Sequence, residues 1–380
     1  MSSEVESADL IVLSHLRWDW VWQRPQHLIS RLSRDRHTWF VEEPRHGDVT
    51  SPQLVTQDAG CVTRVWLELP PEEAVNAWST PQTAWVAPLM DELLGPATPR
   101  DVWLYAPTAV QVARALHPRV LVYDVMDDLA SFADAPPEME LRMRLALDIA
   151  DIAFAGGPSL YRSAASVRGE SRTRLYPSGV ECEHYERSRD LRTSHPRPVV
   201  GYVGVIDERL DLDLLAGLAT ALPEWDVQMV GPVTKIDPAT LPQAPNLHYL
   251  GMKAYDELPA VMAGFDVAMM PFALNEATRS ISPTKTLEYL AAGLPVVSTR
   301  VPDVVSEWGS VVHLVDDAQE TATACAHVLT HDAAARDARL APLRRRHEWD
   351  AIAAAMRGDL EDLLAARAAR AETTTLSGIA

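Results

Sequence analysis

Apolar residues along the chain fall into two patterns that take turns. Short apolar runs at residues 10–13, 102–105, 120–123 and 152–155 are brief, partly β-branched and separated by helix-like stretches, which predicts buried strands. Between them the spacing lengthens to that of a helix. Leu28, Ile29 and Leu32 share one face of residues 25–32, and Leu141, Leu145 and Ile149 share one face of residues 138–150. Strands alternating with covering helices predict a parallel sheet, and so an α/β fold.

The rhythm fails over residues 176–198, YPSGVECEHYERSRDLRTSHPRP, where prolines, a glycine and many charges leave no sustained apolar period. It restarts with PVVGYVGV, a helix over 212–222, DVQMVGP, LHYLG, a helix around 258–262, DVAMMPF and GLPVVST. Two doubly wound domains follow, residues 1–185 and 199–348, with 186–198 as the crossing between them. Ile352, Met356, Leu360, Leu363 and Leu364 then give an apolar stripe to a C-terminal helix over 349–370, and 371–380 is expected to fray.

Composition narrows the classes. A length of 380 residues suits two cores, and 47% hydrophobic with 23% charged residues excludes a disordered or fibrous chain. The net charge of -19 would repel a polyanion, so nucleic-acid binding is not expected. Cys61, Cys182 and Cys325 have neither metal-type spacing nor an even count, which argues for reduced thiols. The start MSSEVESADL lacks the basic and apolar regions of a signal peptide, and no apolar run approaches about 18 residues, so a cytoplasmic location is expected.

Candidate chemistry concentrates in SPTKTLEYLAAGLPVVST. Ser282 suits an N-cap, Pro283 the first helical position and Gly293 the left-handed residue that ends a helix. Lys285 in the first turn opposes the helix dipole by roughly 0.3 to 1 kcal/mol, a violation that a bound diphosphate would reverse, with backbone N–H groups at Thr284 and Lys285 facing the same anion. The bland alternative is a solvated lysine paired with Glu288 one turn later. Gly204 in GYVG follows an apolar strand but does not complete a G-x-G-x-x-G fingerprint, which disfavours a dehydrogenase.

In the first half, His15 and Arg17 follow the first strand, and Asp124, Asp127 and Asp128 follow another, at the strand ends where doubly wound sheets bind ligands. These are acceptor-side candidates, with Asp127 also a candidate for catalysis. The acids could instead cap the next turn, and a metal in DVMDD is not expected. Trp18, Trp20 and Trp22 followed by Arg24, Arg31, Arg34 and Arg36 suggest an edge that could rest on an anionic membrane, against the plainer reading of packed tryptophans and solvated arginines. LRRRHEW is a second, smaller basic spot.

The second half resembles the donor domain of retaining GT-B glycosyltransferases of the glycogen synthase-like group, family four, also called group 1. The resemblance rests on LEYLAAGLPVVST, on YPSGVECEHY, and on NLHYLGMKAYDELPAVMAGFDVAMMPF. The opening LIVLSHLRWDWVWQRPQHL is similar to a bacterial polysaccharide-assembly subset. The resemblance implies two Rossmann-like domains facing across a cleft, a C-terminal helix returning to the first domain, and transfer of a sugar from a nucleotide-diphosphate donor to a glycan or lipid-linked hydroxyl acceptor, with no metal or other cofactor. It implies that Glu288 binds the donor ribose. Ser282, Thr284, Gly204, Gly231, Met252 and Tyr255 complete the expected donor site, with Lys285 and Arg209 as catalytic cations. Two departures stand out: Ser280 occupies the position of the group's outer glutamate, with Glu276 the nearest replacement, and Val205 and Leu210 occupy the positions of its phosphate-binding Arg and Lys. A GT-B epimerase acting on the donor alone, or a silent nucleotide-sugar-binding subunit, are the alternatives.

Overall fold

Parallel strands are covered on both faces, so continuous apolar sequence becomes central strand. In a computed structural model that describes residues 8–329 and 347–377, except 79, 96, 133, 282 and 283, the first domain contains β1 (Asp9–Leu13), β2 (Thr38–Val41), β3 (Arg45–His46), β4 (Gln53–Asp58), β5 (Thr63–Leu69), β6 (Arg100–Leu104), β7 (Leu121–Val125), β8 (Ile152–Ala155) and β9 (Thr173–Leu175). Their order is β3-β5-β2-β1-β6-β7-β8-β9, with β4 pairing antiparallel to β5. The helices are α1 (Arg24–Leu32), α2 (Val86–Leu94), α3 (Val110–Ala115), α4 (Met139–Ile149) and α5 (Pro158–Arg168), and α6 (Cys182–Asp190) follows the crossing and packs on the core of the second domain.

The second domain contains β10 (Val199–Val203), α7 (Leu212–Ala221), β11 (Asp226–Val230), β12 (Leu247–Gly251), α8 (Leu258–Ala263), β13 (Val267–Met270), α9 (Lys285–Ala291), β14 (Val296–Thr299), α10 (Pro302–Trp308), β15 (His313–Val315) and α11 (Ala318–Val328). Its all-parallel order β12-β11-β10-β13-β14-β15 is the doubly wound order, in which the chain reverses between β10 and β13 and leaves a crevice at the carboxyl ends of the strands. The last helix, α12 (Trp349–Ser377), returns to the first domain, where Trp349, Ile352, Met356 and Leu360 share a core with Leu28, Ile29 and Leu32 of α1.

The two crossings between the domains lie side by side. Val180 donates its N–H to the His347 carbonyl at 2.7 Å, and the Cys182 N–H reaches Glu348 Oε1 at 3.3 Å.

Four expectations are corrected. The stretch expected to be an irregular crossing contains α6, because Cys182, Tyr185 and Ser188 recur every third residue and bury one face despite the charged average; the boundary at 185 therefore falls inside a helix. Leu141 is 69% exposed, since α4 buries Ala146 and Leu147 instead. Helix α12 runs to Ser377, through most of the segment expected to fray. Helix α9 starts at Lys285 after Thr284, while Ser282 and Pro283, expected to begin it, lie outside the described residues. Among the described residues no helix is long and apolar enough to cross a membrane.

Candidate functional site

The second-domain wall of the cleft is set by three short connections. At Gly231, where φ is +150°, an added Cβ would lie 1.8 Å from the Gly204 carbonyl oxygen, so the turns after β10 and β11 touch backbone to backbone, as only glycine permits. Helix α9 is bolted to the end of β10 by Tyr289: its hydroxyl accepts from the Val203 N–H at 2.8 Å and donates to the Val203 carbonyl at 3.2 Å. Leu287 and Leu290 pack into the second core, so the opposite face of the helix, with Lys285 and Glu288, is left toward the first domain.

Two adjoining cavities occupy the cleft. One is lined by Gly204, Arg209, Thr284, Lys285 and Glu288 from the second domain and by Gln23, Arg24, His27 and Asp127 from the first. The other is lined by Gly204, Gly231, Met252, Tyr255 and Lys285, facing Trp20 and Trp22. Lys285 borders both.

Its Nζ lies 2.9 Å from Glu288 Oε2, the i to i+3 pair anticipated as the bland reading, with both side chains largely buried. Arg209 is held in a bidentate pair by Asp207, Nε to Oδ1 at 2.9 Å and Nη2 to Oδ2 at 2.7 Å. Asp207 is itself buried, so the guanidinium is fixed at the cleft rather than free in solvent. Two cations thus stand on one wall, each oriented by a carboxylate of its own domain.

On the opposite wall the predicted residues separate. Asp127 lines the first cavity, and burial raises its carboxyl above the usual range against the pull of Arg209 and Lys235. His15 sits beside β1 with Nδ1 buried and without a hydrogen-bond partner; burial and the charge of Lys235 lower it to about 4. Arg17 is exposed and its charge partly offsets the burial that pushes Glu43 up to about 7. Asp124, expected to contact an acceptor, is fully buried and gripped by Arg24, Nη2 to Oδ1 at 2.8 Å; it ties α1 to β7 instead. Asp128 serves a turn, accepting from Ser131 Oγ at 2.7 Å.

The arginines considered for a membrane-facing edge are paired within the fold, Arg34 at an exposed site. Arg24 pairs with Asp124, Arg31 with Glu181 and Asp350, Arg34 with Asp350, and Arg36 with Asp101, so all four charges are used within the fold. Trp18 is buried against Phe40, and Trp22 donates to His27 Nδ1 at 3.0 Å. Arg344, Arg345 and Arg346 of the second basic spot lie outside the described residues. Glu276, the nearest replacement for the outer glutamate, is exposed, paired with Arg279 at 2.6 Å, and outside the lining of both cavities.

Two lining residues, His27 and Trp349, gave no signal in the sequence. His27 stacks on Trp349 with ring centres 4.9 Å apart and lies 5.5 Å from Tyr255, joining α1, α12 and the second domain. Tyr255 also donates to Glu181 Oε2 at 2.6 Å. Only the fold brings these residues together. Among the described residues no cluster of three His, Cys, Asp or Glu side chains is placed to hold a metal.

Comparison with known proteins bears on the same region. Residues 197–331 match the family described as Glycosyl transferases group 1. A Bacillus subtilis (strain 168) protein, named provisionally as a teichuronic acid biosynthesis glycosyltransferase, TuaH, is 30% identical over 142 residues, which are 35% of this chain and 36% of that protein. The match thus spans about a third of that relative. Over nearly the whole chain the fold is similar to sucrose-phosphate synthase from Thermosynechococcus elongatus, with a TM-score of 0.70 at 16% identity over 95% of this chain and 100% of the other. It is similar also to trehalose 6-phosphate synthase from Burkholderia multivorans, with a TM-score of 0.68 at 17% identity over 97% and 98%. A third similar structure, the Escherichia coli trehalose-6-phosphate protein bound with UDP-2-fluoro glucose, has a TM-score of 0.66 at 15% identity over 94% and 99%. The chain has the GT-B fold, and residues 197–331 of its second domain are similar to the group 1 glycosyltransferases.

Proposed function

We propose that the protein transfers a sugar from a nucleotide-diphosphate donor to a hydroxyl of a glycan or lipid-linked acceptor, in the cytoplasm and with retention of anomeric configuration. The observation that carries this reading is the pair of fixed cations, Lys285 and Arg209, facing Asp127 across an interdomain cavity that also contains Glu288. The diphosphate lies between the cations, where leaving-group charge develops, and Glu288 accepts hydrogen bonds from ribose hydroxyls. Asp127, held neutral more readily by burial, faces the acceptor hydroxyl. The acceptor attacks from the side the diphosphate leaves, so no protein nucleophile is required. Closing the cleft excludes water that would otherwise hydrolyse the donor.

A binding subunit without turnover is the second reading, favoured by Ser280, Val205 and Leu210 where the resembled group carries an acid and two cations. The test is incubation with uridine, guanosine, adenosine and thymidine diphosphate sugars, with and without a bacterial envelope glycan fraction, following nucleotide release and the sugar product. Acceptor-dependent release of nucleoside diphosphate, unchanged by a chelator, supports transfer. An altered sugar nucleotide from donor alone indicates an epimerase, and tight binding with no turnover indicates the silent subunit.

A further inference from the structure

The second cavity has walls from both domains, and the first-domain wall is a tryptophan on a loop that is held still. Trp20 is 44% exposed, with no ring or hydrogen-bond partner for its side chain among the described residues. Its loop is nonetheless anchored. The Trp18 N–H donates to Glu42 Oε1 at 3.0 Å, Arg64 binds Glu42 at 2.7 Å and Asp19 at 2.8 Å, and Gln26 donates to the Arg17 carbonyl at 3.1 Å. A large aromatic held outward by such a network serves contact better than stability, because leaving its ring in water gains nothing for folding. Opposite Trp20 the second domain offers Met252, itself 46% exposed, beside the narrow Gly231 turn, with Val230 and Leu258 completing an apolar wall. Lys285 at the cavity edge connects this apolar slot to the two-cation site next door.

An apolar slot with an outward indole and a soft thioether fits a flat heteroaromatic ring, and the cation at its edge fits a phosphate attached to that ring's sugar. We infer that Trp20 of the first domain caps the nucleobase of a nucleoside diphosphate held by the second domain. The inference rests on the donor reading above and adds to it that donor recognition is shared across the cleft. Binding of the base then holds the first domain, with its anchored loop, against the second, so an occupied donor site is a closed one. A lipid surface is the competing use of an exposed tryptophan. It is disfavoured here because Arg24, Arg31, Arg34 and Arg36 are all committed to ion pairs and Trp20 lines the cavity.

The test is calorimetry of the full chain, its Trp20→Ala variant and its Trp20→Phe variant with uridine, guanosine, adenosine and thymidine diphosphates and with inorganic pyrophosphate. Loss of base stacking is expected to weaken the preferred nucleoside diphosphate by roughly 5- to 150-fold in Trp20→Ala while leaving pyrophosphate affinity unchanged. Trp20→Phe should recover most of the affinity, and quenching of tryptophan fluorescence by the nucleotide should shrink in both variants. Equal affinity of wild type and Trp20→Ala for the nucleoside diphosphate overturns the inference and leaves the donor reading intact. Equal loss for nucleotide and pyrophosphate also overturns it, by assigning Trp20 a structural role. Retained nucleotide affinity with lost binding to phosphatidylglycerol vesicles assigns the residue to a membrane. If the wild type binds none of the four nucleotides, the donor reading itself falls and this inference with it.

Discussion

Replacing Glu288 by alanine isolates the donor reading, because the carboxylate has two separable roles. In the free protein it neutralises Lys285 at 2.9 Å on a helix anchored independently through Tyr289. Solvent-screened pairs contribute about 0.2 to 1 kcal/mol, and the burial of this one at the open cleft makes the upper end the better guide. Lost from a domain of this size, about 1 kcal/mol lowers the melting temperature by about 2 to 4 °C, so the variant folds. In the complex the carboxylate accepts charge-assisted hydrogen bonds worth about 1.5 to 3 kcal/mol, and its loss weakens a nucleoside diphosphate about 10- to 150-fold. Calorimetry with the preferred nucleotide measures the second effect and thermal unfolding the first. Pyrophosphate supplies an internal control: freed from its partner, Lys285 should hold it no more weakly than before. A folded Glu288→Ala protein that binds the nucleotide as tightly as wild type refutes the assignment.

Other expectations follow from the same structure. Gly231→Ala places a Cβ against the Gly204 carbonyl, so the two turns must separate; nucleotide binding, read by calorimetry, should fall by at least tenfold even where the circular dichroism spectrum is retained. Asp124→Ala leaves Arg24 buried without its partner and should cost about 3 to 5 kcal/mol in urea unfolding of the first domain, whereas a true acceptor contact would alter kinetics and spare stability. For Glu43 the folded carboxyl, raised to about 7 from 4.5, binds protons more readily than the unfolded one, so its contribution falls as pH rises from about 4.5 to 7. Glu43→Gln should therefore be increasingly more stable than wild type across that window and level off above it. His15, lowered to about 4 from 6.5, has the opposite sign: its stabilisation is complete above about 6.5 and is lost as pH falls to 4, and His15→Asn should flatten that acid limb of the unfolding profile.

The strands were legible because burial on both faces leaves an unbroken apolar signature; residues 152–155 were read as a strand and β8 spans Ile152–Ala155. Helix α6 was not, because nine residues containing five charged side chains and a histidine hide a face made by only Cys182, Tyr185 and Ser188. At the cleft, Lys285, Glu288, Arg209 and Asp127 could be named one by one from motif and strand-end position, and the fold places them around one cavity. The choice among the acids could not be read in advance. Asp124 and Asp127 are three residues apart on one strand end, and what separates them is Arg24, a hundred residues away in sequence, which takes the first and leaves the second facing the cavity. The same kind of long-range pairing engages the arginine row, with Arg34 still exposed.

The backbone bond from Val180 to His347 joins the two points at which the chain passes between domains. Two domains joined at adjacent points turn most easily about the line through them, so opening of the cleft has a preferred axis. Residues far from that axis then travel furthest for each degree of swing, and the grip on a substrate becomes a matter of leverage rather than of many independent contacts.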